Sequence, residues 1–209
     1  MRPDTNPLDH VWWLLSRTAG IVALLAITAS VGLGLWASIR AKRRPGMAVA
    51  MRGAHEHLAL VGLVSIAVHG VALLGDPWLR PGVSGIAVPF EIGYRTVWVA
   101  AGITGGYLAA LLGLSFYVRR HLGAARWRRV HRLASLVYVL AVAHTLGAGT
   151  DAGTPWLRSL MIVTGAPIIA LFLIRVSQPA RPAPQGRRPA RTPAREPASA
   201  AGSRSPALP

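Results

Sequence analysis

Five long apolar runs constrain this chain more than anything else in it: roughly Val11–Trp36, His55–Leu74, Val97–Val118, Val130–Leu146 and Trp156–Val176. Each comes close to the roughly 20 residues an α-helix needs to cross the hydrocarbon core of a bilayer. None has the alternation of a barrel strand. The predicted fold is therefore all-α, a polytopic membrane helix bundle of about five transmembrane helices occupying residues 1–176. From Ser177 to Pro209 the chain is rich in Pro, Arg, Ala and Ser. Such a segment buries too little apolar surface to fold and is expected to be a disordered cytoplasmic tail.

The charge of +16 would suit nucleic-acid binding if it were spread over one face, but its placement points elsewhere. Arg40, Lys42, Arg43, Arg44 and Arg52 lie between the first two runs, and Arg119, Arg120, Arg126, Arg128 and Arg129 follow the third. The tail carries more. The opposite loops hold Arg2, Arg80 and Arg95 beside Asp4, Asp9, Asp76, Glu91 and Asp151. This is the positive-inside pattern, which predicts an N-terminus outside and a C-terminus in the cytoplasm. No nucleic-acid partner follows from it; membrane lipid does, with the basic loops able to meet anionic headgroups. The expected location is a cell membrane, in a bacterium the inner one.

The first run is read as a span rather than a signal peptide, because MRPDTNPLDH is not a basic leader and the positive cluster comes after the apolar stretch. All seven tryptophans fall near span ends, as interfacial anchors do. Cysteine is absent, which excludes disulfides and thiolate-held metal or iron–sulfur centres on this chain. Gly102 and Gly106 form a small-xxx-small spacing that hints at a helix contact. The loop GDPWLRPGVSGIAVPFEIGY has too much Pro and Gly to continue a helix.

Histidine is the residue type these runs should not contain without a use, since ionisable groups inside a bilayer are costly. His10 and His121 lie in polar surroundings. His55, His57 and His69 fall in the second run, HEHLALVGLVSIAVH, and His131 and His144 in the fourth, HRLASLVYVLAVAH. Both runs are entered from the cytoplasm and so run parallel. At 1.5 Å per residue, the 14-residue separation from His55 to His69 spans about 21 Å, and the 13-residue separation from His131 to His144 about 20 Å. The pairs match in depth, as two stacked bis-histidine haem sites would. On an ideal helix His55 and His69 diverge by about 40°, against about 120° for His57 and His69, which favours His55. His131 and His144 diverge by about 140°, so aiming both at one partner needs rotamer reach, or a kink or π-bulge in their helix. Spacing alone leaves open generic metal binding and a purely interfacial role.

With these residues in view, the chain resembles the ferric-reductase-like transmembrane domain family. That is the membrane portion shared by ferric reductases, NADPH oxidases and the haem subunit of a bacterial methionine-sulfoxide reductase system. The resemblance covers about Trp12 to Leu173 and is carried by WWLLSRTAG, HEHLALVGLVSIAVH and RWRRVHRLASLVYVLAVAH. It implies two b-type haems held by His55, His69, His131 and His144, carrying electrons across the membrane. The flavin and nicotinamide domains of larger members have no counterpart among these residues. The resemblance therefore implies an oxidoreductase component fed by a cytoplasmic flavoprotein or a quinol and emptied by an unidentified extracytoplasmic acceptor.

Arg17 is a candidate partner for propionates of the outer haem, because a guanidinium fork suits carboxylates; equally, it can snorkel to the interface. Arg52, Arg128, Arg129 and Arg132 stand where inner propionates would lie. Asp151 reads as a turn residue or a group at a haem edge, and Tyr138 as packing between the two levels. No catalytic residue is assigned. Two other classes compete: a transporter using the histidines for protons or metal ions, and an assembly partner in which they only pack.

Overall fold

The computed structural model describes residues 10–39 and 45–178. Every regular element among them is a helix: α1 Val11–Ile39, α2 Pro45–Leu73, α3 Gly82–Ala87, α4 Thr96–Leu114, α5 Arg119–Leu122, α6 Ala124–His131, α7 Ala134–Ala148 and α8 Pro155–Ser177. Five helical stretches are long and apolar enough to cross a membrane, with α6 and α7 together forming the fourth. The chain is thus a helical membrane bundle. Arg40 to Arg44 and the predicted disordered tail, apart from Ser177 and Gln178, lie outside the described residues.

The helices differ in extent from the apolar runs. α2 begins ten residues before His55, which sets that histidine about 15 Å inside the helix rather than at its end. α4 stops at Leu114, and the loop 74–95 contains the short α3 despite its Pro and Gly content.

Two antiparallel hairpins make the bundle. α1 packs along α2, α4 packs along α7, and α8 lies against α1. The buried face of α1 is built from small residues, including Ser16, Ala19, Ala23, Ala26, Thr28 and Ser30, so its neighbours approach closely. Large apolar side chains such as Leu111, Ile162, Val163, Ile169 and Leu173 are turned outward, as lipid-facing residues are. The core cluster of Ile27, Ala109, Leu112 and Val137, with Leu63 and Ile66 against it, sits at mid-depth. By contrast α2, which carries His55 and His69, does not pack closely on α6 or α7, which carry His131 and His144.

One end of the bundle carries the loops 74–95 and 149–154 and is called the loop end below. The other carries α5 and α6, with Arg119, Arg120, Arg126, Arg128 and Arg129, and is called the basic end.

Candidate functional site

The space between α2 and the α6–α7 segment is bridged by imidazoles at two levels. At the basic end the rings of His55 and His131 face each other with centroids 6.0 Å apart and planes at 83°. At the loop end His69 and His144 do the same at 6.1 Å and 79°. The parallel, depth-matched pairing expected from spacing is the arrangement found. His57 joins neither pair; it is exposed, and its Nδ1 donates to the Gly53 carbonyl one turn back at 2.7 Å.

The 140° divergence of His131 and His144 is relieved where α6 gives way to α7. Amide donors of Leu133, Ser135 and Leu136 bond three residues back, at 2.9, 3.4 and 2.9 Å, which is 3₁₀ geometry. Two residues turning by about 120° rather than about 100° reduce the divergence from about 140° to about 100°. Neither Pro nor Gly marks this break, which falls at Arg132 and Leu133.

Three of the four rings are oriented by the same device. His69 Nδ1 donates to the Ser16 carbonyl at 2.8 Å, His55 Nδ1 to the Ser30 carbonyl at 2.9 Å, and His144 Nδ1 to the Trp98 carbonyl at 2.9 Å. A carbonyl can only accept, so Nδ1 carries the proton and Nε2 presents a lone pair. In the first two cases the serine hydroxyl also lies 3.1 Å from Nδ1 and donates back to the histidine's own carbonyl, at 3.2 Å from Ser16 and 3.3 Å from Ser30. Four residues after each accepting carbonyl stands a glycine: Gly20, Gly34 and Gly102. A Cβ on Gly20 would come within 3.1 Å of the His69 ring, one on Gly34 within 3.6 Å of His55, and one on Gly102 would overlap the His144 ring. The missing side chains let the imidazoles lie against helix backbone.

His131 is held otherwise. Its Nδ1 is buried without a hydrogen-bond partner, and its ring stacks on Trp127 with centroids 4.7 Å apart and planes at 20°.

These separations are compatible with a metal centre held between two imidazoles. Two imidazoles trans on one metal, each nitrogen about 2.0–2.1 Å from it, put ring centroids roughly 6 Å apart. Histidines that ligate metals commonly donate their other nitrogen to a carbonyl or carboxylate, as three do here. Among the described residues no group of three or more His, Cys, Asp or Glu could hold a bare ion. A pair can serve a group that brings donors of its own, as a porphyrin does. A cavity of about 810 Å³ opens beside the loop-end pair, lined by residues that include Ser16, Gly20, His69, Gly102 and His144. That volume is within the usual range for cofactor sites. His55 and His131 do not line it.

Arg17 is engaged with protein. Its Nε and Nη2 donate to Oδ2 and Oδ1 of Asp151 at 2.6 and 2.8 Å, with the side chains 31% and 15% exposed. Its guanidinium lies 5.0 Å from the Trp13 ring and 6.0 Å from that of Trp156. A propionate at Arg17 would have to share the guanidinium with Asp151. Arg52, Arg128, Arg129 and Arg132 are exposed at the basic end. Gly102 and Gly106 both serve close approach, but to different helices, the first to His144 and the second to Ile66. Tyr138 points at α8, its hydroxyl 3.2 Å from where a Gly165 Cβ would be.

The residues that sequence reasoning missed are Ser16, Ser30, Gly20, Gly34, Trp98 and Trp127. A signal was present for four of them: Ser-x-x-x-Gly occurs at 16–20 and again at 30–34, offset by the 14 residues that separate His55 from His69. Comparison of the chain with protein-family models, curated proteins and solved structures finds no match.

Proposed function

We propose that this protein is the membrane component of an electron-transfer system, holding two b-type haems in series across the bilayer. The observation that carries the reading is the pair of histidine couples, at ring separations of 6.0 and 6.1 Å on parallel helices that otherwise stand apart. His55 and His131 would ligate one haem and His69 and His144 the other, as in the ferric-reductase-like family the sequence resembles. Each bound haem supplies a one-electron ferric/ferrous couple. Two imidazoles would hold each haem, and a haem so held would supply outer-sphere electron transfer rather than substrate binding at the metal. Ser16, Ser30 and Trp98 fix the tautomer and raise the donor strength of three ligands. The core cluster around Ile27, Leu112 and Val137 separates the two levels with apolar side chains. Electrons would reach the basic end from a cytoplasmic flavoprotein or a quinol and leave at the loop end to an extracytoplasmic acceptor.

Haem-replete expression followed by reduced-minus-oxidised absorption and a haem assay tests this. The expected result is b-type bands with about two haems per chain, falling to about one when any of His55, His69, His131 or His144 becomes Ala. A protein without such bands would overturn the reading and leave ion transport or passive packing as the use of the histidines. Bands unaltered in all four variants would refute the ligand assignment.

A further inference from the structure

The two sites are not built alike, and the difference lies at His131. Every other paired histidine has its ring rotation fixed by an Nδ1–H bond to a carbonyl on a neighbouring helix. His131 has no such bond, although its Nδ1 is buried. A free imidazole swings about its Cβ–Cγ bond, and a ligand that swings holds its metal less well. Something else must fix this ring.

Trp127 sits one turn earlier on α6 and covers the face of His131 in a near-parallel stack. The indole is itself anchored: Nε1 donates to Ser115 Oγ at 3.1 Å, and that hydroxyl donates to the Leu112 carbonyl at 2.7 Å. The Phe116 ring lies 6.0 Å from the indole, tilted by 60°. The chain of contacts therefore runs from the buried end of α4, through Ser115 and Trp127, to the plane of the His131 ring. It ends at His131, immediately before the helix break at Arg132 and Leu133.

We propose that Trp127 is the positioning residue of His131, setting by stacking the ring plane that carbonyls set for the other three ligands. It holds the imidazoles of the basic-end pair nearly perpendicular. The proposal rests on the haem reading above and assigns to Trp127 a role beyond that of an interfacial anchor.

The angle between two axial imidazole planes is reported by the low-field electron paramagnetic resonance signal of a ferric bis-histidine haem, a property that folding alone does not tune. Trp127→Leu removes the stack, Trp127→Phe keeps an aromatic face, and Ser115→Ala removes only the anchor. In the full-length, haem-loaded protein, Trp127→Leu is expected to shift or broaden one of the two low-field signals. That signal is the one abolished by His131→Ala. Haem retention at that site should weaken about two- to twelvefold, the worth of one aromatic stack. Trp127→Phe should retain the signal near its original position, and Ser115→Ala should broaden it. The signal of the His69–His144 pair should not move. Wild-type signal and retention in Trp127→Leu would overturn the proposal while leaving two-haem binding intact. If that variant does not assemble, an unbroadened signal in Ser115→Ala overturns it equally. A wild-type protein without haem removes both this proposal and the reading beneath it.

Discussion

A glycine's missing side chain is seldom a ligand's support, but at Gly20, Gly34 and Gly102 it is what lets an imidazole reach a backbone carbonyl. The three positions are not equally tight, and that grades a prediction. Gly102→Ala drives a methyl into the His144 ring, other ring atoms of which lie 2.7 and 2.8 Å from the new Cβ. Overpacking of this kind costs about 1–3 kcal/mol, and the ring must leave the Trp98 carbonyl. Gly20→Ala makes a tighter than usual contact at 3.1 Å, whereas Gly34→Ala makes an ordinary one at 3.6 Å. Haem at the loop-end pair should fall most in Gly102→Ala and less in Gly20→Ala. Gly34→Ala should keep the basic-end haem, with up to about 1 kcal/mol gained from helix propensity. Haem-to-protein ratios and thermal midpoints of the three variants check the order. The histidines themselves were legible because period and depth follow from counting residues. Their acceptors were not, since a backbone carbonyl has no letter in the sequence. Only the glycines that expose it do.

Between elements, the least legible feature was the turn from α6 into α7. The sequence HRLAS has no Pro or Gly to announce a break, and an ideal helix left His131 and His144 pointing apart. What decides it is tertiary: Trp127 is tied to Ser115 on the neighbouring helical segment, and both histidines have partners on α2. Local propensity yields to those contacts. The five apolar spans, by contrast, could be read directly, because hydrophobic length does not depend on neighbours. Helix-to-helix coupling also involves Arg17, a candidate for a haem propionate, whose pair with Asp151 ties α1 to the loop between α7 and α8. A bidentate, charge-assisted pair that is mostly shielded from water contributes about 1.5–3 kcal/mol per bond to a charged group at the upper end of such values. Asp151→Asn keeps the shape and loses the charge. It should lower the thermal midpoint in detergent, and Arg17→Lys should do so as well because a lysine cannot reproduce the fork. The double variant should destabilise by less than the sum of the two, a coupling that a double-mutant cycle measures directly. Additive losses would mean that the pair is not the link between these elements.

For the molecule as a whole, direction is what the proposed function turns on, since two haems in series would act vectorially only if the bundle had a fixed orientation. The basic residues of α5 and α6 and the acid-containing loops at the other end argue for one orientation on electrostatic grounds alone. The helices run the full depth between those ends. The absence of cysteine makes the orientation directly measurable, because a single introduced thiol is the only one to label. Ser84 on α3 and Ala125 on α6 are both exposed, and they lie at opposite ends of the bundle. In intact cells a membrane-impermeant maleimide should modify Ser84→Cys and spare Ala125→Cys until the membrane is permeabilised. The reverse pattern would place the His69–His144 level on the cytoplasmic side, so that electrons donated there would meet the carbonyl-braced pair first and the Trp127-stacked pair last. Labelling of both thiols from outside would mean that α5 and α6 do not lie beyond the membrane from the long loop. A vectorial path through the four histidines would then lose its basis.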